Sequence, residues 1–344
     1  MAGKVTLAHG AGGKETEEIV DRLIVRRVPE ELKRAMNGVG LDLLDDGASL
    51  FIEGIHLVVS VDSYTVKPIN FPGGNIGALA ATGTINDVVM MGARPVAMLD
   101  SIVVEEGFDE KLLDDVIKSF MEVITKERVS LIGGDFKVMP RGSVDGIVIS
   151  TTGIGIAKED ELITDRVREG DRIVVTGHLG DHGAVILALQ QGISLESSSL
   201  RSDLRPLTGL LDVFRKFKGK IHAARDPTRG GLAMVLNDWA KQSGKIIVVD
   251  GSKIPLREQV ASYAGMLGID PLFLASEGQA VIAVDGSVCD ELLDELRKSG
   301  FPDSSEIGEV RRAERFKGIV LYKSEVGGHR ILEPPSGEIV PRIC

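Results

Sequence analysis

The chain has 344 residues, 43% of them hydrophobic, with a formal net charge of -11 and two cysteines. That is more chain than one core usually organises, so two domains are expected, and the acidic balance argues against a nucleic-acid partner. No stretch has the length of a membrane span or the pattern of a signal peptide, so the sequence reads as cytoplasmic with no membrane partner, and Cys289 and Cys344 alone cannot build a disulfide framework or a cysteine zinc site.

Up to about Ala157 helix-like and strand-like segments alternate. Glu15 to Met36 is mostly amphipathic with a break at Pro29, His56 to Val61 is a short apolar strand, and Asn75 to Met91 carries small residues at helical spacing. Val96 to Val104 reads as a strand, Asp109 to Lys126 as a helix, and Val129 to Ile132 and Gly146 to Ile156 as strands. The charged stretch Lys158 to Gly170 is the candidate linker. Beyond it, strands are expected at Arg172 to Thr176, Lys245 to Val249 and Ala280 to Val284. Helices are expected at Gly183 to Gln191, Leu204 to Phe217, Gly231 to Gln242, Leu256 to Gly268 and Cys289 to Ser299. The fold class is therefore α+β (mixed α/β), two domains of similar size followed by an extended C-terminal tail.

That tail ends in Pro341-Arg342-Ile343-Cys344, with a thiol on the last residue. No residue follows it to pack against, which suits a group acceptor better than a core residue; the bland alternative is an incidental terminal cysteine. Prenylation needs cysteine fourth from the end and is excluded. Glu333-Pro334-Pro335-Ser336-Gly337-Glu338 is stiffened by proline and hinged at Gly337, so a hydrated, extended tail is expected. From Pro334 the tail reaches on the order of 30 Å at ~3.3 Å per residue, enough to carry the thiol into an active site. The terminal carboxylate favours the neutral thiol there, and Arg342 favours the thiolate.

The usual nucleotide signatures are missing. Gly12-Gly13-Lys14-Glu15 lacks the hydroxyl of a P-loop, and Gly153-Ile154-Gly155 lacks the third glycine of a dinucleotide fold. Instead Asp45, Asp46, Asp62, Asp87 and Asp135 stand at the ends of apolar segments. Carboxylates converging from several such ends repel unless divalent cations sit between them, and magnesium takes such ligands together with nucleotide phosphates; singly, each reads as a turn or cap residue. Phe71-Pro72-Gly73-Gly74-Asn75-Ile76-Gly77 opens a helix with exposed NH groups, a way to hold an anion. Lys137, two residues past Asp135, would share its face and neutralise a transferring phosphoryl group, and Glu277 before a second-domain strand suits a base; both also read as surface charges. His178 and His182 make only a weak zinc pair, with no third ligand nearby. His9, in a glycine-rich segment, suits a mobile lid over phosphates, and Arg225 to Gly231 suits a phosphate loop, an interdomain loop or a cap.

Together these segments resemble the HypE family of carbamoyl dehydratases in nickel–iron hydrogenase assembly, within the aminoimidazole ribonucleotide synthetase (PurM-like) superfamily. The resemblance runs almost end to end, through His9 to Gly13, Asp45 to Ala48, Phe71 to Gly77, Gly83 to Asp87, Glu105 to Phe108, Gly134-Asp135 with Lys137, Gly180 to Gly183, Arg225 to Gly231, Asp270 to Leu272 and the terminal tetrapeptide. It implies a PurM-like ATP-binding and dimerisation domain at 1–157, a second PurM-like domain at 158–332 and a flexible tail at 333–344. It further implies a homodimer paired through first-domain sheets, with ATP bound by His9, Gly12, Gly13, Asp46, Asp62, Gly73, Gly74, Asn75, Asp87, Gly134 and Asp135. Mg2+ would lie on Asp45, Asp46, Asp62, Asp87 and Asp135. Cys344, Lys137 and Glu277 would be catalytic, turning an S-carboxamide on Cys344 into an S-cyanide. A carbamoyltransferase, HypF, would load the thiol and a HypC–HypD complex would accept the cyanide. Phe136 stands where the family often has Thr, and Ser276 and Gln279 where Asn and Lys are common. The rival readings are an ATP-dependent kinase or synthetase of the same fold acting on a free small molecule, and a carrier without enzymatic activity.

Overall fold

The structure is a computed structural model that describes residues 4–344 apart from 197, 315, 325, 338, 339 and 341. Pro341 and Glu338 of the expected tail therefore lie outside the described residues. The first half forms a five-stranded sheet in the order β1-β2-β7-β5-β6. Its strands are β1 (Ala48–Ile52), β2 (Ile55–Tyr64), β5 (Arg94–Glu105), β6 (Ser130–Met139) and β7 (Ile147–Lys158). A two-residue hairpin, β3 (Asn70–Phe71) with β4 (Gly74–Asn75), leads into α2 (Ile76–Met90). Only β5 and β6 are parallel, joined by the crossover helix α3 (Glu110–Lys126). The amphipathic N-terminal stretch is a shorter helix than its pattern suggests: α1 (Lys14–Leu23) gives way to short 3-10 turns before and after Pro29.

Helix α2 is buried along nearly its whole length, which is why its small residues show no polar face. It covers one face of the sheet. Residues opposite one another in a sheet share a face, so the row Asp62, Thr151, Asp100, Gly134 can be assigned to the α2 side: Thr151 is buried, with its hydroxyl on the Ala80 carbonyl at 3.3 Å. The neighbouring row Ser63, Ser150, Ser101, Asp135 faces the opposite way. That second face is open, with Val61 70% exposed and Ile156 37% exposed.

The second half forms a seven-stranded sheet in the order β14-β13-β10-β12-β8-β11-β9. The strands are β8 (Arg172–Val175), β9 (Ile221–Arg225), β10 (Ile246–Asp250), β11 (Val281–Val284), β12 (Ser305–Arg311), β13 (Ile319–Lys323) and β14 (His329–Ile331). Alternate residues face two cores. Ile173 and Val175 pack with α6 (Gly231–Ser243) on one side, whereas Val174 packs with α4 (Asp181–Gln190), α5 (Leu210–Lys216) and α8 (Cys289–Lys298) on the other. A further helix, α7 (Glu258–Met266), adds Val260 and Ala264 to this second core. That core continues into the first domain through Ile76, Leu79 and Ile85, and it ends on Val340, Ile343 and Cys344. The two halves and the C-terminus thus share one apolar interior. Among the described residues no helix is long and apolar enough to cross a membrane.

The tail differs from its expected state. Its composition favours hydration, yet Ile343 and Cys344 are each only 6% exposed, because the groove between the domains is apolar where they enter it. After Lys158, the last residue of β7, residues 159–170 connect the sheets without helix or strand, but the stretch is tied down: Ile163 N–H donates to Met91 O at 3.0 Å and Asp165 N–H to the Asp45 carboxylate at 2.9 Å.

Candidate active site

The C-terminus is held by two backbone hydrogen bonds to the segment that follows β2. Thr65 N–H donates to Cys344 O at 2.9 Å and Lys67 N–H to Arg342 O at 3.1 Å. Arg342 turns away from the thiol, with Nε on Thr65 O at 2.7 Å and its guanidinium paired with Asp145. The N-terminal segment clasps the tail from outside. Lys14 N–H donates to Pro335 O at 3.0 Å, and Gly337 N–H reaches both Glu15 carboxylate oxygens at 3.2 Å. Gly12 makes this possible: at φ +77° it lies so close to Arg229 that an added Cβ would fall 2.2 Å from that residue's side-chain Cβ.

Burial pushes the Cys344 thiol well above its ordinary range, against the pull of Arg229, with Glu277, Asp62 and Asp226 pushing it further up. The thiol is therefore neutral at rest. Arg229 donates to Asp62 at 3.3 Å and is the cation acting on the sulfur, the role the sequence suggested for Arg342. A cavity of about 170 Å³ adjoins the thiol, between Gly10, Ala11, Ser63, Thr65 and Arg229.

Glu277 is fully buried, and neither carboxylate oxygen has a hydrogen-bond partner among the described residues. Burial first, then Asp226, Asp203 and Asp62, raises it well above the carboxylate range. Its backbone is fixed from both domains. Asp203 accepts from Glu277 N–H at 3.1 Å and Gly278 N–H at 3.3 Å, and Asn86 of α2 donates to Glu277 O at 3.1 Å. Only glycine fits at 278, where a Cβ would meet Asp203 O at 1.9 Å. The unusual neighbours are both engaged: Ser276 Oγ accepts from Gly180 N–H at 2.8 Å and Gln279 Oε1 from Thr176 Oγ at 2.9 Å.

Next to this carboxyl lies an acidic group built from both domains. Asp87 accepts from Ser60 Oγ at 2.5 Å, and Asp45 accepts from the N–H groups of Asp46 and Asp165, each at 2.9 Å. Arg225 threads among them, with Nε 2.6 Å from Asp165, 3.5 Å from Asp46 and Nη1 3.1 Å from Asp238. Burial raises Asp45 to about 7, and burial with mutual repulsion drives Asp46, Asp87 and Asp226 well above their ordinary value. One oxygen each of Asp46 and Asp226 is buried without a partner among the described residues. Such excess, unpaired negative charge fits a divalent cation. Among the described residues, however, no three His, Cys, Asp or Glu side chains stand close enough to hold an ion.

The five aspartates proposed for metal do not converge within one chain. Asp135 and Lys137 pair with each other on exposed β6, on the open face, whereas Asp62 is on the α2 face. Strands β7 and β5 also intervene, about 14 Å at ~4.8 Å per strand. Gly134 is taken up by packing, since a Cβ there would strike the Asp100 carboxylate. The helix start at Phe71 to Gly77 is not an open anion cradle either. Asn75 caps α2 by accepting from Gly77 and Ala78 N–H, at 2.9 and 3.0 Å, and Gly73 and Gly74 pack under Ser202 and Leu204. His9 closes on its own turn, accepting from Thr6 N–H at 3.1 Å, while Gly12 and Gly13 pack on Arg229 and Pro335. Instead of a zinc pair, His178 approaches Asp303 at 3.4 Å and His182 holds the tail. Sequence reasoning missed Asn86, Asp165, Asp203, Asp226 and Arg229 as site residues. The charged turn of residues 225–231 carried a signal for two of them.

Residues 44–157 match the family model of AIR synthase related proteins, N-terminal domain, and residues 168–321 the corresponding C-terminal domain. The carbamoyl dehydratase HypE of Azotobacter vinelandii is 37% identical over 347 aligned positions, covering 99% of this chain and 98% of that protein. The chain belongs to the HypE family. Within it, a solved HypE–HypF complex superposes with a TM-score of 0.83 at 33% identity, covering 93% of this chain and 99% of that one. A HypE structure in complex with ATP superposes with a TM-score of 0.79 at 37% identity, covering 99% and 100%. The expected fold, two PurM-like domains of mixed sheet and helix, is the fold observed.

Proposed function

We propose that this protein is an ATP-dependent carbamoyl dehydratase acting on its own C-terminus, converting an S-carboxamide on Cys344 to an S-cyanide for the iron of a nickel–iron hydrogenase. The observation that carries the reading is the terminal thiol itself, inserted between the domains where Glu277 and Arg229 both act on it. A kinase of free small molecules would leave that groove for its substrate, and a passive carrier has no use for a buried, unpaired glutamate.

A carboxamide oxygen is a poor leaving group. In the proposed sequence that oxygen attacks the γ-phosphorus of ATP, ADP departs, and one N–H proton is lost to give an O-phosphorylated imidate on sulfur. Glu277 in its ionised form, a strong base because burial raises its proton affinity, then takes the remaining N–H proton, the carbon–nitrogen triple bond forms, and the C–O bond breaks to release phosphate. Nucleotide binding is assigned to the cavity of about 430 Å³ beside Asp45 and Asp46, which lies in the usual size range of ligand pockets. Mg2+ is held by one or two carboxylates together with nucleotide phosphates, so it needs no preformed cluster of three; the residues that would supply those carboxylates are among Asp45, Asp46, Asp62, Asp87 and Asp226, and the ion would neutralise phosphate charge.

Lys137 and Asp135 enter through a homodimer. The open sheet face is apolar at Val61 and Ile156, and pairing it with a second copy carries each Asp135 and Lys137 toward the partner, where Lys137 offsets phosphoryl charge. Residues 1–157, 158–332 and 333–344 are the corresponding functional units, in a cytoplasmic protein. A HypF-type carbamoyltransferase loads Cys344, which requires the tail to leave its groove, and a HypC–HypD complex accepts the cyanide. The test is intact mass after incubation with carbamoyl phosphate, such a transferase and ATP with magnesium, beside Cys344→Ala. A carbamoyl adduct on Cys344 that then loses one water, and keeps it in Glu277→Gln, is the expected result. An unmodified thiol with an active transferase would refute the reading.

A further inference from the structure

The last residues of the tail are held by their carbonyls: those of Arg342 and Cys344 accept from the backbone N–H groups of Lys67 and Thr65, while the Ile343 carbonyl between them faces a buried interior, where it needs a donor. His182, in the first turn of α4 in the other domain, supplies it at 2.9 Å from Nε2. A carbonyl only accepts, so Nε2 carries the proton and Nδ1 is the acceptor, matched by the Ser202 hydroxyl at 2.8 Å. Ser202 is itself fixed, its N–H on Pro72 O at 2.8 Å and its Oγ accepting from Leu204 N–H at 3.2 Å. Phe71 meets the imidazole edge-on, with ring centroids 5.2 Å apart at 84°. With the tail in place the ring is completely buried, held by Ser202 and Phe71 as well as by the Ile343 carbonyl.

We propose that His182 is the positioning residue that seats Cys344: by holding the carbonyl immediately before the terminal cysteine it fixes the peptide plane that aims the thiol at Arg229 and Glu277. The inference rests on the dehydratase reading for its purpose but not for its test. The full-length protein is labelled with 5,5′-dithiobis(2-nitrobenzoate), reading Cys344 by intact mass, with the Cys344→Ala background reporting buried Cys289. His182→Leu, which keeps bulk and removes the donor, is expected to speed Cys344 labelling about tenfold, the factor that ~1.4 kcal/mol of lost docking produces. His182→Gln, whose amide nitrogen falls near the Nε2 position, is expected within about threefold of the parent. Labelling of His182→Leu at the parent rate overturns the proposal, as does a His182→Gln rate equal to that of His182→Leu. Should Cys289 open together with Cys344 in His182→Leu, Ser202→Ala decides: accelerated Cys344 labelling supports the role and the parent rate overturns it. With carbamoylated protein, His182→Leu also slows single-turnover dehydration at unchanged ATP affinity. The labelling arm needs no turnover, so failure of the dehydratase reading is visible separately.

Discussion

Asn86 is the side chain on which the joint between the domains most depends. It is fully buried on α2 and makes three hydrogen bonds into the second domain: Nδ2 to Arg205 O at 3.2 Å, Nδ2 to Glu277 O at 3.1 Å, and Oδ1 from Leu207 N–H at 2.8 Å. Asn86→Ala leaves two carbonyls and one N–H buried without partners. At roughly 1 kcal/mol for each bond lost, the expected destabilisation is about 3 kcal/mol, larger where a group stays dry and smaller where water enters. Asn86→Asp is expected to be worse, because it sets a carboxylate against two carbonyls beside Asp87 and removes both donors. Urea unfolding followed by tryptophan fluorescence measures the loss, since Trp239 is the only tryptophan and is buried on α6. Because Glu277 hangs from the same amide, single-turnover dehydration is expected to fall as well. A loss under about 1 kcal/mol, the worth of a single bond, with unchanged turnover would show that the joint is held elsewhere.

Other outcomes can be checked separately. Glu277→Gln should lower dehydration by about 10²–10⁴-fold, the usual value of a general base, while retaining ATP binding by calorimetry; dehydration at the parent rate would remove Glu277 from the chemistry. Burial raises Asp203 from 3.8 to about 7, so the folded state holds a proton that the unfolded state releases earlier. Its contribution to stability is full at low pH and is lost as pH rises through about 7; nucleotide-free protein should melt lower at about pH 7.5 than at about pH 5.5, and Asp203→Asn should flatten that slope. A slope unchanged in Asp203→Asn would assign the effect to another group. Val61→Lys on the open face should turn a dimer into a monomer in sedimentation velocity, and a wild-type monomer would end the pairing proposal.

Much of this protein was legible before folding because the informative patterns are local. Small residues at helical spacing from Asn75 onward mark a helix, which α2 is, and largely apolar runs mark β5, β7 and β8. The terminal cysteine and the acidic ends of apolar segments drew attention to the groups that meet in the site. What these patterns do not carry is direction. Asp62 and Asp135 look alike in sequence, each at the end of an apolar run, yet sheet register sends one toward α2 and the other to the open face. The strands β12 and β14 carry too many polar residues to announce themselves and exist because neighbours offer edges to pair with, β10 and β8 for β12 and β13 for β14.

By itself the sequence determined most of the helices and the more apolar strands, the two-domain mixed architecture and a thiol on the last residue, since each depends on composition or on neighbours a few positions away. Only the tertiary structure decided that the tail is buried, that Arg229 and not Arg342 faces its thiol, and that Asp203 and Asn86 fix Glu277 from either side. The reason is separation in sequence. A proline-rich, polar tail is hydrated in isolation and docks only when the segment after β2 and His182 on α4 are brought together to receive its backbone carbonyls.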